Sequence, residues 1–262
     1  AAAPPARPAA RLGEPQPVLD LLRDHTGLIV LGDPGAGKTT LVKYLALRLA
    51  LGEGPDMGLG HRLPVPLSLA AYAAELEQDD IRLDDFISDY FQRRTADLPL
   101  KQMLTEALQR GTALVLLDGL DEVRDLSMRS TVVERVVDFY TYHAQAGNKF
   151  VITSRIVGYN AVRPSAAGLA ECTLVDFDQA EIEAFIDSWS RELEQQAQGN
   201  TEFGRAEAER ERRNLLTAIR SNTNVARLAA NPLLLTILAL MQRQGGSLPE
   251  RRVQLYDQYI RT

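Results

Sequence analysis

Residues 32–39 read Gly32-Asp33-Pro34-Gly35-Ala36-Gly37-Lys38-Thr39, the pattern G-x-x-x-x-G-K-T, with Thr40 behind it. That spacing is the phosphate-binding loop. The chemistry follows from the residue types. Gly32, Gly35 and Gly37 permit backbone angles and close approaches that a β-carbon blocks, so the amide N–H groups can turn inward as an anion-binding nest. A helix starting near Lys38 adds unpaired N–H groups and the positive end of a dipole. Lys38 is expected to reach the β- and γ-phosphates, and the Thr39 hydroxyl to hold Mg²⁺. Asp33, Pro34, Ala36 and Thr40 complete the expected nucleotide-binding set.

A second group of chemical residues begins at Asp118. The run Ala113-Leu114-Val115-Leu116-Leu117-Asp118 is apolar until it ends in a carboxylate. Such a run suits a parallel strand buried on both faces, and its carboxyl end is where open α/β sheets bind ligands. Asp118 therefore reads as an acid that holds Mg²⁺ through water. Asp121 and Glu122 follow within three or four residues. One of them can orient or deprotonate an attacking water, with Asp121 favoured slightly; alternatively both cap the next helix. The run Lys149-Phe150-Val151-Ile152-Thr153-Ser154-Arg155 reads as another buried strand. Arg155 at its end can contact a γ-phosphate or face solvent.

These residues need elements to place them. Leu28-Ile29-Val30-Leu31 reads as the strand before the loop, and Leu41 to Ala50 as the helix after it. Val18 to Arg23 reads as a helical turn that packs either on a nucleotide base or in the core. Val65 to Leu69 reads as a short strand, at a sheet edge because Pro66 lacks an N–H. Helices are expected over residues 81–91, 100–109 (closed by Gly111) and 131–144. Residues 157–170 read as a Gly/Pro/Ala loop, and Cys172-Thr173-Leu174-Val175 as the last strand. From Asp178 the pattern becomes helical, opening on a capping box with Glu181 and breaking at residues 198–204. Arg205 to Arg213 alternates acid and base and reads as a solvated face. Asn231 reads as a cap with Pro232 in the first helical position.

Composition sets outer bounds. The chain has 262 residues, 45% hydrophobic and 24% charged, as in an ordinary globular protein of one or two domains. A net charge of −6 gives no support for a nucleic-acid surface. The single cysteine, Cys172, excludes an internal disulfide, reads as a structural thiol and suits a reducing cytosol. No apolar run reaches the ~18 residues of a membrane span, and no membrane partner is expected. His25, His61 and His143 match no motif position. The Pro/Ala-rich start reads as a linker. The chain has no initiator Met and stops within a helical pattern at Tyr259-Ile260-Arg261-Thr262, so a piece of a longer protein is expected.

Together these residues resemble the NACHT module of STAND ATPases, signal-transducing relatives of the AAA+ proteins. The resemblance is carried by Gly32 to Thr40 and by Leu116-Leu117-Asp118-Gly119-Leu120-Asp121-Glu122, with its small residue directly after the Mg²⁺ acid. Thr153-Ser154-Arg155 resembles the sensor-1 strand end. Asn231-Pro232-Leu233-Leu234 resembles the helical-domain motif whose proline packs near adenine, and Leu248 to Tyr256 resembles helical-domain sequence of bacterial members. The resemblance implies an α/β P-loop NTPase fold of the AAA+-like type. Its five-stranded parallel sheet would carry the sensor strand between the strands of the loop and of Asp118. It implies a lead-in over residues 1–24, a nucleotide-binding domain over 25–177 and a small all-α domain over 178–262.

By the same resemblance the cofactors are ATP or ADP with Mg²⁺, and the activity is a slow ATPase that resets a switch. ADP would hold the closed monomer, and ATP would permit self-association through the nucleotide-binding domain. Effector and sensor domains would lie outside these residues, and bacterial relatives are linked to antiphage defence. Rival readings are an AAA+-like motor or loader acting on nucleic acid or protein, a scaffold that binds nucleotide without hydrolysis, and a kinase or transferase.

Overall fold

The computed structural model describes residues 13–93, 98–244 and 248–261; the start of the Pro/Ala-rich lead-in and Thr262 lie outside them. Helix α1 (Val18–Asp24) leads into β1 (Gly27–Leu31), and α2 (Lys38–Ala50) follows the glycine loop. Next come β2 (Leu63–Ser68), α3 (Leu69–Leu76), α4 (Leu83–Gln92), α5 (Leu100–Gln109) and β3 (Ala113–Asp118). A single 3-10 turn (Leu120–Glu122), α6 (Leu126–Ala144), β4 (Lys149–Ser154), α7 (Ile156–Ala161) and β5 (Leu169–Thr173) complete the α/β part. Helices α8 (Gln179–Gln198), α9 (Glu202–Ser221), α10 (Thr223–Ala229), α11 (Pro232–Arg243) and α12 (Arg252–Arg261) follow.

The five strands are parallel in the order β2-β3-β4-β1-β5, so β4, which leads into Arg155, separates the loop strand from the Asp118 strand. The central strands are apolar throughout because both faces are covered. Ile29, Leu31, Val115, Leu117, Phe150 and Ile152 pack under α3 to α6. Their neighbours Leu28, Val30, Leu114, Leu116 and Val151 pack under α1 and α2 on the other face. This is the period-2 alternation of a strand with a hydrophobic layer on each side. Strand β2 lies at the edge, as Pro66 requires. The Leu63 N–H reaches toward the β3 side, onto Thr112 O at 2.8 Å. Pro64 and Pro66, in the opposite phase, turn their missing donors outward and remove no ladder bond.

The helical part has its own apolar core. Ile186, Leu216, Ile219, Leu235, Leu238 and Leu255 meet there, with Phe185 and Trp189 stacked at its side. The capping box that opens α8 is present: Asp178 Oδ1 accepts from Glu181 N at 2.8 Å and Asp178 N donates to Glu181 Oε2 at 2.9 Å. In α9 the charged residues pair on the surface, as Arg210–Glu207 and Arg213–Glu209 do. Among the described residues, no single helix is long and apolar enough to cross a membrane.

Several local expectations are corrected. The stretch expected as a loop contains α7, because Tyr159 buries its ring there and donates to Glu171 Oε1 at 2.5 Å. Strand β5 runs over Leu169–Thr173, earlier than residues 172–175, in register with β1 from Gly27↔Leu169 to Leu31↔Thr173. Helix α6 starts at Leu126, five residues earlier than residue 131, because Asp125 caps it through Met128 N at 2.8 Å. That cap also removes Asp121 and Glu122 as caps. The break after α8 is confined to Gly199–Thr201, and Gly204 lies buried inside α9. Val18, Leu19, Leu21 and Leu22 pack into the core under the sheet. The partly buried Cys172 joins that core, and burial pushes its thiol up to about 11.

Candidate functional site

The glycine loop joins β1 to α2, whose first residue is Lys38. Gly37, at φ +94, forms the turn into the helix in the left-handed region, and Gly35 sits at φ +81. Lys38 folds over the loop: its Nζ donates to Gly32 O at 2.8 Å and Asp33 O at 3.0 Å. Burial lowers the Lys38 ammonium from its ordinary value; Asp121, Asp118 and Asp33 oppose that shift and Arg155 adds to it. Lys38 therefore lies within the electrostatic reach of Asp33, Asp118, Asp121 and Arg155 together. Thr39 and Thr40 are exposed on the first turn of α2.

Strand pairing delivers the opposite wall. The register pairs Leu117 with Ile152, so one step further Asp118 lies beside Thr153. The Thr153 hydroxyl donates to Asp118 Oδ1 at 2.5 Å and accepts from Gly119 N at 2.9 Å. Thr153 therefore orients the carboxylate and pins the turn behind it. Asp118 Oδ2 makes no protein hydrogen bond among the described residues. Thr39 carries a hydroxyl and Asp118 a second carboxylate oxygen, both hard-oxygen donors of the type that Mg²⁺ takes together with phosphate and water.

Gly119 explains the small residue after that acid. Its φ is +80, and an added β-carbon would lie 2.8 Å from Glu122 Cδ. The chain turns back sharply, and Glu122 folds over the glycine. Asp121 faces the other way, toward β4. Its Oδ2 pairs with Arg155 Nε at 3.0 Å, and its Oδ1 accepts from the Arg155 backbone N–H at 2.8 Å. The Arg155 side chain stays 54% exposed, while that of Asp121 is 11% exposed. Arg155 caps the N-terminus of α7, and Gly158 in that helix packs directly on Asp121.

The helical part closes the loop from the third side. Asn231 Nδ2 donates to Pro34 O at 3.2 Å, and the Leu233 N–H donates to Gly35 O at 3.3 Å. A β-carbon on Gly35 would meet Asn231 Oδ1 at 2.7 Å and Leu233 Cβ at 2.9 Å. Pro232 stands between these two contacts at the first position of α11. Asn231 Oδ1 also accepts from Leu234 N at 3.3 Å, so one side chain caps α11 and grips the loop.

Lys38, Asp118, Asp121 and Arg155 thus converge around the loop, with Glu122 on the same turn and Pro232 at its helical border. Sequence reasoning placed Thr153 in the sensor-1-like strand end but gave it no role of its own, and it missed Arg129 and Gly158 as parts of this site. Strand register alone could have found Thr153, one step past the paired apolar runs. Arg129 and Gly158 carry no local signal, because tertiary packing brings them to the acidic turn. A separate cavity of about 360 Å³ lies between α8 and α9, lined by residues including Arg191, Glu194 and Arg205 and by no residue of the glycine loop or the acidic turn.

A parallel sheet whose inner strand feeds a glycine loop, and whose second neighbour ends in an oriented acid, defines a P-loop NTPase. The family model described as the NACHT domain matches residues 27–193, more than half of the sequence, and the chain belongs to the NACHT family. Comparison with curated proteins gives no match. Among solved structures, the chain is similar to a Signal Transduction ATPase with Numerous Domains (STAND) protein with a tetratricopeptide repeat sensor from Pyrococcus horikoshii. That similarity has 15% identity and a TM-score of 0.40, over 92% of this chain and 31% of that one. The chain therefore spans about a third of that protein's length.

Proposed function

We propose that this module is an ATP/ADP switch that hydrolyses ATP slowly and passes the state of its phosphate loop to the helical part. One observation carries the reading: Asn231 and Leu233 hydrogen-bond directly to the loop backbone at Pro34 and Gly35. Any change in the loop on exchange of nucleotide reaches α11 without an intermediary. The expected boundary near Asp178 fits this division, with the α/β part as nucleotide-binding domain and the α8–α12 part as the responding domain.

In this reading the loop amides and Lys38 hold the phosphates, and Pro232 borders the adenine. Thr39 and Asp118 hold Mg²⁺, which when bound would neutralise charge on the β- and γ-phosphates. Thr153 keeps Asp118 aimed at that site. Asp121 orients or deprotonates the attacking water, with Glu122 as the nearby second carboxylate. Arg155 turns from Asp121 toward the γ-phosphate, which makes it both a charge stabiliser and a reporter of ATP. ATP would open the module and permit self-association; ADP would restore the closed form. Effector and sensor domains elsewhere would supply input and output. For antiphage defence the support is the likeness of residues 248–256 to bacterial family members, and plaque counts with wild type and Lys38→Ala test it.

The deciding experiment is release of the nucleotide that co-purifies with the protein, followed by exchange and turnover measurements. Tightly held ADP, slow to exchange, with turnover well below the ~1 s⁻¹ floor of typical enzymes, is the expected result. An empty site with rapid turnover stimulated by DNA or a protein substrate would replace the switch with a motor.

A further inference from the structure

We propose that Arg129 is a positioning residue that holds the acidic turn and the Arg155 helix at a fixed separation. The inference rests on the NTPase reading above. Arg129 belongs to the first turns of α6, yet only 7% of it is exposed. Its guanidinium turns under the acidic turn and spends its donors on backbone carbonyls. Nε donates to Val123 O at 2.8 Å and Nη2 to the same oxygen at 2.5 Å. Nη2 also donates to Asp121 O at 3.2 Å, and Nη1 to Gly158 O at 3.2 Å.

Those carbonyls are not a random set. Asp121 lies in the 3-10 turn that carries both acids, Val123 is the residue that closes it, and Gly158 lies inside the short helix that starts after Arg155. Both segments are too short to satisfy their own last carbonyls, and their C-terminal ends carry negative partial charge. One buried cation answers both. Only a guanidinium has a planar fork that reaches three carbonyls from two directions; an ammonium is a single point.

The result is that Asp121 is held from both ends. Arg155 takes its carboxylate, and Arg129 takes its carbonyl. Gly158 presses on it from the side, where an added β-carbon would come within 2.5 Å of Asp121 Cβ. Removing Arg129 lets the turn and α7 drift apart while the glycine loop, 90 residues earlier in the chain and on the other side of β4, keeps its own contacts. A displacement near 1 Å at a reacting group costs about a hundredfold in rate.

The test compares wild type, Arg129→Gln, Arg129→Lys and Gly158→Ala. Each is measured for single-turnover ATP hydrolysis, for ADP affinity, for the ratio of ATP to ADP affinity, and for thermal unfolding. Arg129→Gln should slow hydrolysis by about ten- to a hundredfold and lower the ATP/ADP affinity ratio, with ADP affinity within about twofold of wild type. Arg129→Lys should fall between. Gly158→Ala, with the guanidinium intact, should show the same split because it pushes α7 off Asp121. Equal loss of ADP binding and hydrolysis in both variants would mean a purely structural residue and overturn the inference. So would folded variants with wild-type hydrolysis and wild-type ATP/ADP ratio. Failure of wild type itself to bind nucleotide would instead sink the NTPase reading, on which the role depends.

Discussion

Asp121 and Arg155 hold each other by two bonds, one from the guanidinium at 3.0 Å and one from the Arg155 backbone N–H at 2.8 Å. The acid proposed to orient the attacking water and the cation proposed to read the γ-phosphate therefore form one unit. In the proposed switch the side-chain bond is the exchangeable half, since the Arg155 side chain is 54% exposed; the backbone bond would keep Asp121 in place when the guanidinium turns away.

Asp121→Asn keeps the size and can still accept the backbone bond but removes the charge. Hydrolysis should fall by about 10²- to 10⁴-fold, the range for loss of a positioned general base. ATP affinity should change by less than tenfold. Pre-steady-state turnover and equilibrium titration separate the two. Equal losses in both would move the base role to Glu122.

Lys38→Ala removes the cation that now bonds Gly32 O and Asp33 O. The substituted residue opens α2 in the first turn, where alanine is a good helix former, so the fold should survive. Nucleotide binding should drop by at least about tenfold, with one charged phosphate contact of 1.5–3 kcal/mol lost. Circular dichroism and calorimetric titration report fold and affinity independently. Unchanged affinity and turnover would remove the loop from the site.

Gly35→Ala tests the coupling between the loop and α11. The position has φ +81, which costs an L-residue about 1–2 kcal/mol. The added methyl would also collide with Asn231 and Leu233. The loop keeps its place on β1, so α11 should be the part that moves. Hydrogen exchange in residues 232–243 should rise in Gly35→Ala and in Asn231→Ala, with the β1 and β3 amides unaffected. Faster ADP release should accompany it. Exchange in α11 that stays at the wild-type rate would argue that the contact transmits nothing.

The glycine loop, Asp118 and the order of apolar runs were legible because local rules write them. Gly37 must take a left-handed turn, Lys38 must open a helix, and Ala113–Leu117 must be covered on two faces. Even the edge position of β2 could be read from Pro66. What could not be read depends on neighbours distant in sequence. Helix α7 hides in a Gly/Pro/Ala stretch because its one strong anchor, Tyr159, finds Glu171 on β5 only after folding. Asp121 and Glu122 look alike in sequence. They part company because Gly119 turns back, leaving Glu122 over the glycine and Asp121 against Arg155. Arg129 sits in a polar helix start, Leu126-Ser127-Met128-Arg129-Ser130, with nothing local to mark it as buried.

Acid stability offers a test remote from the site. His143, in the last turn of α6, meets Asp84, in the first turn of α4, with Nε2···Oδ1 at 2.6 Å. Asp84 also complements its helix dipole, as an anion in the first turn of α4. Burial alone would raise the Asp84 carboxyl, but the hydrogen bond and charge of His143, with Arg82 adding, hold it below its ordinary value. A carboxyl lowered in the folded state binds fewer protons there than in the unfolded chain. Its contribution to stability is therefore complete above the unfolded value near pH ~3.9 and is lost as pH falls through the folded value. Wild type should have a higher urea midpoint than Asp84→Asn at pH 5, and the gap should close progressively below about pH 4. His143→Gln removes the cause of the shift, so in that background the Asp84→Asn gap should be smaller at pH 5 and should change less with pH. A gap that widens toward low pH would mean that Asp84 is raised in the folded protein and that burial, not His143, dominates its environment.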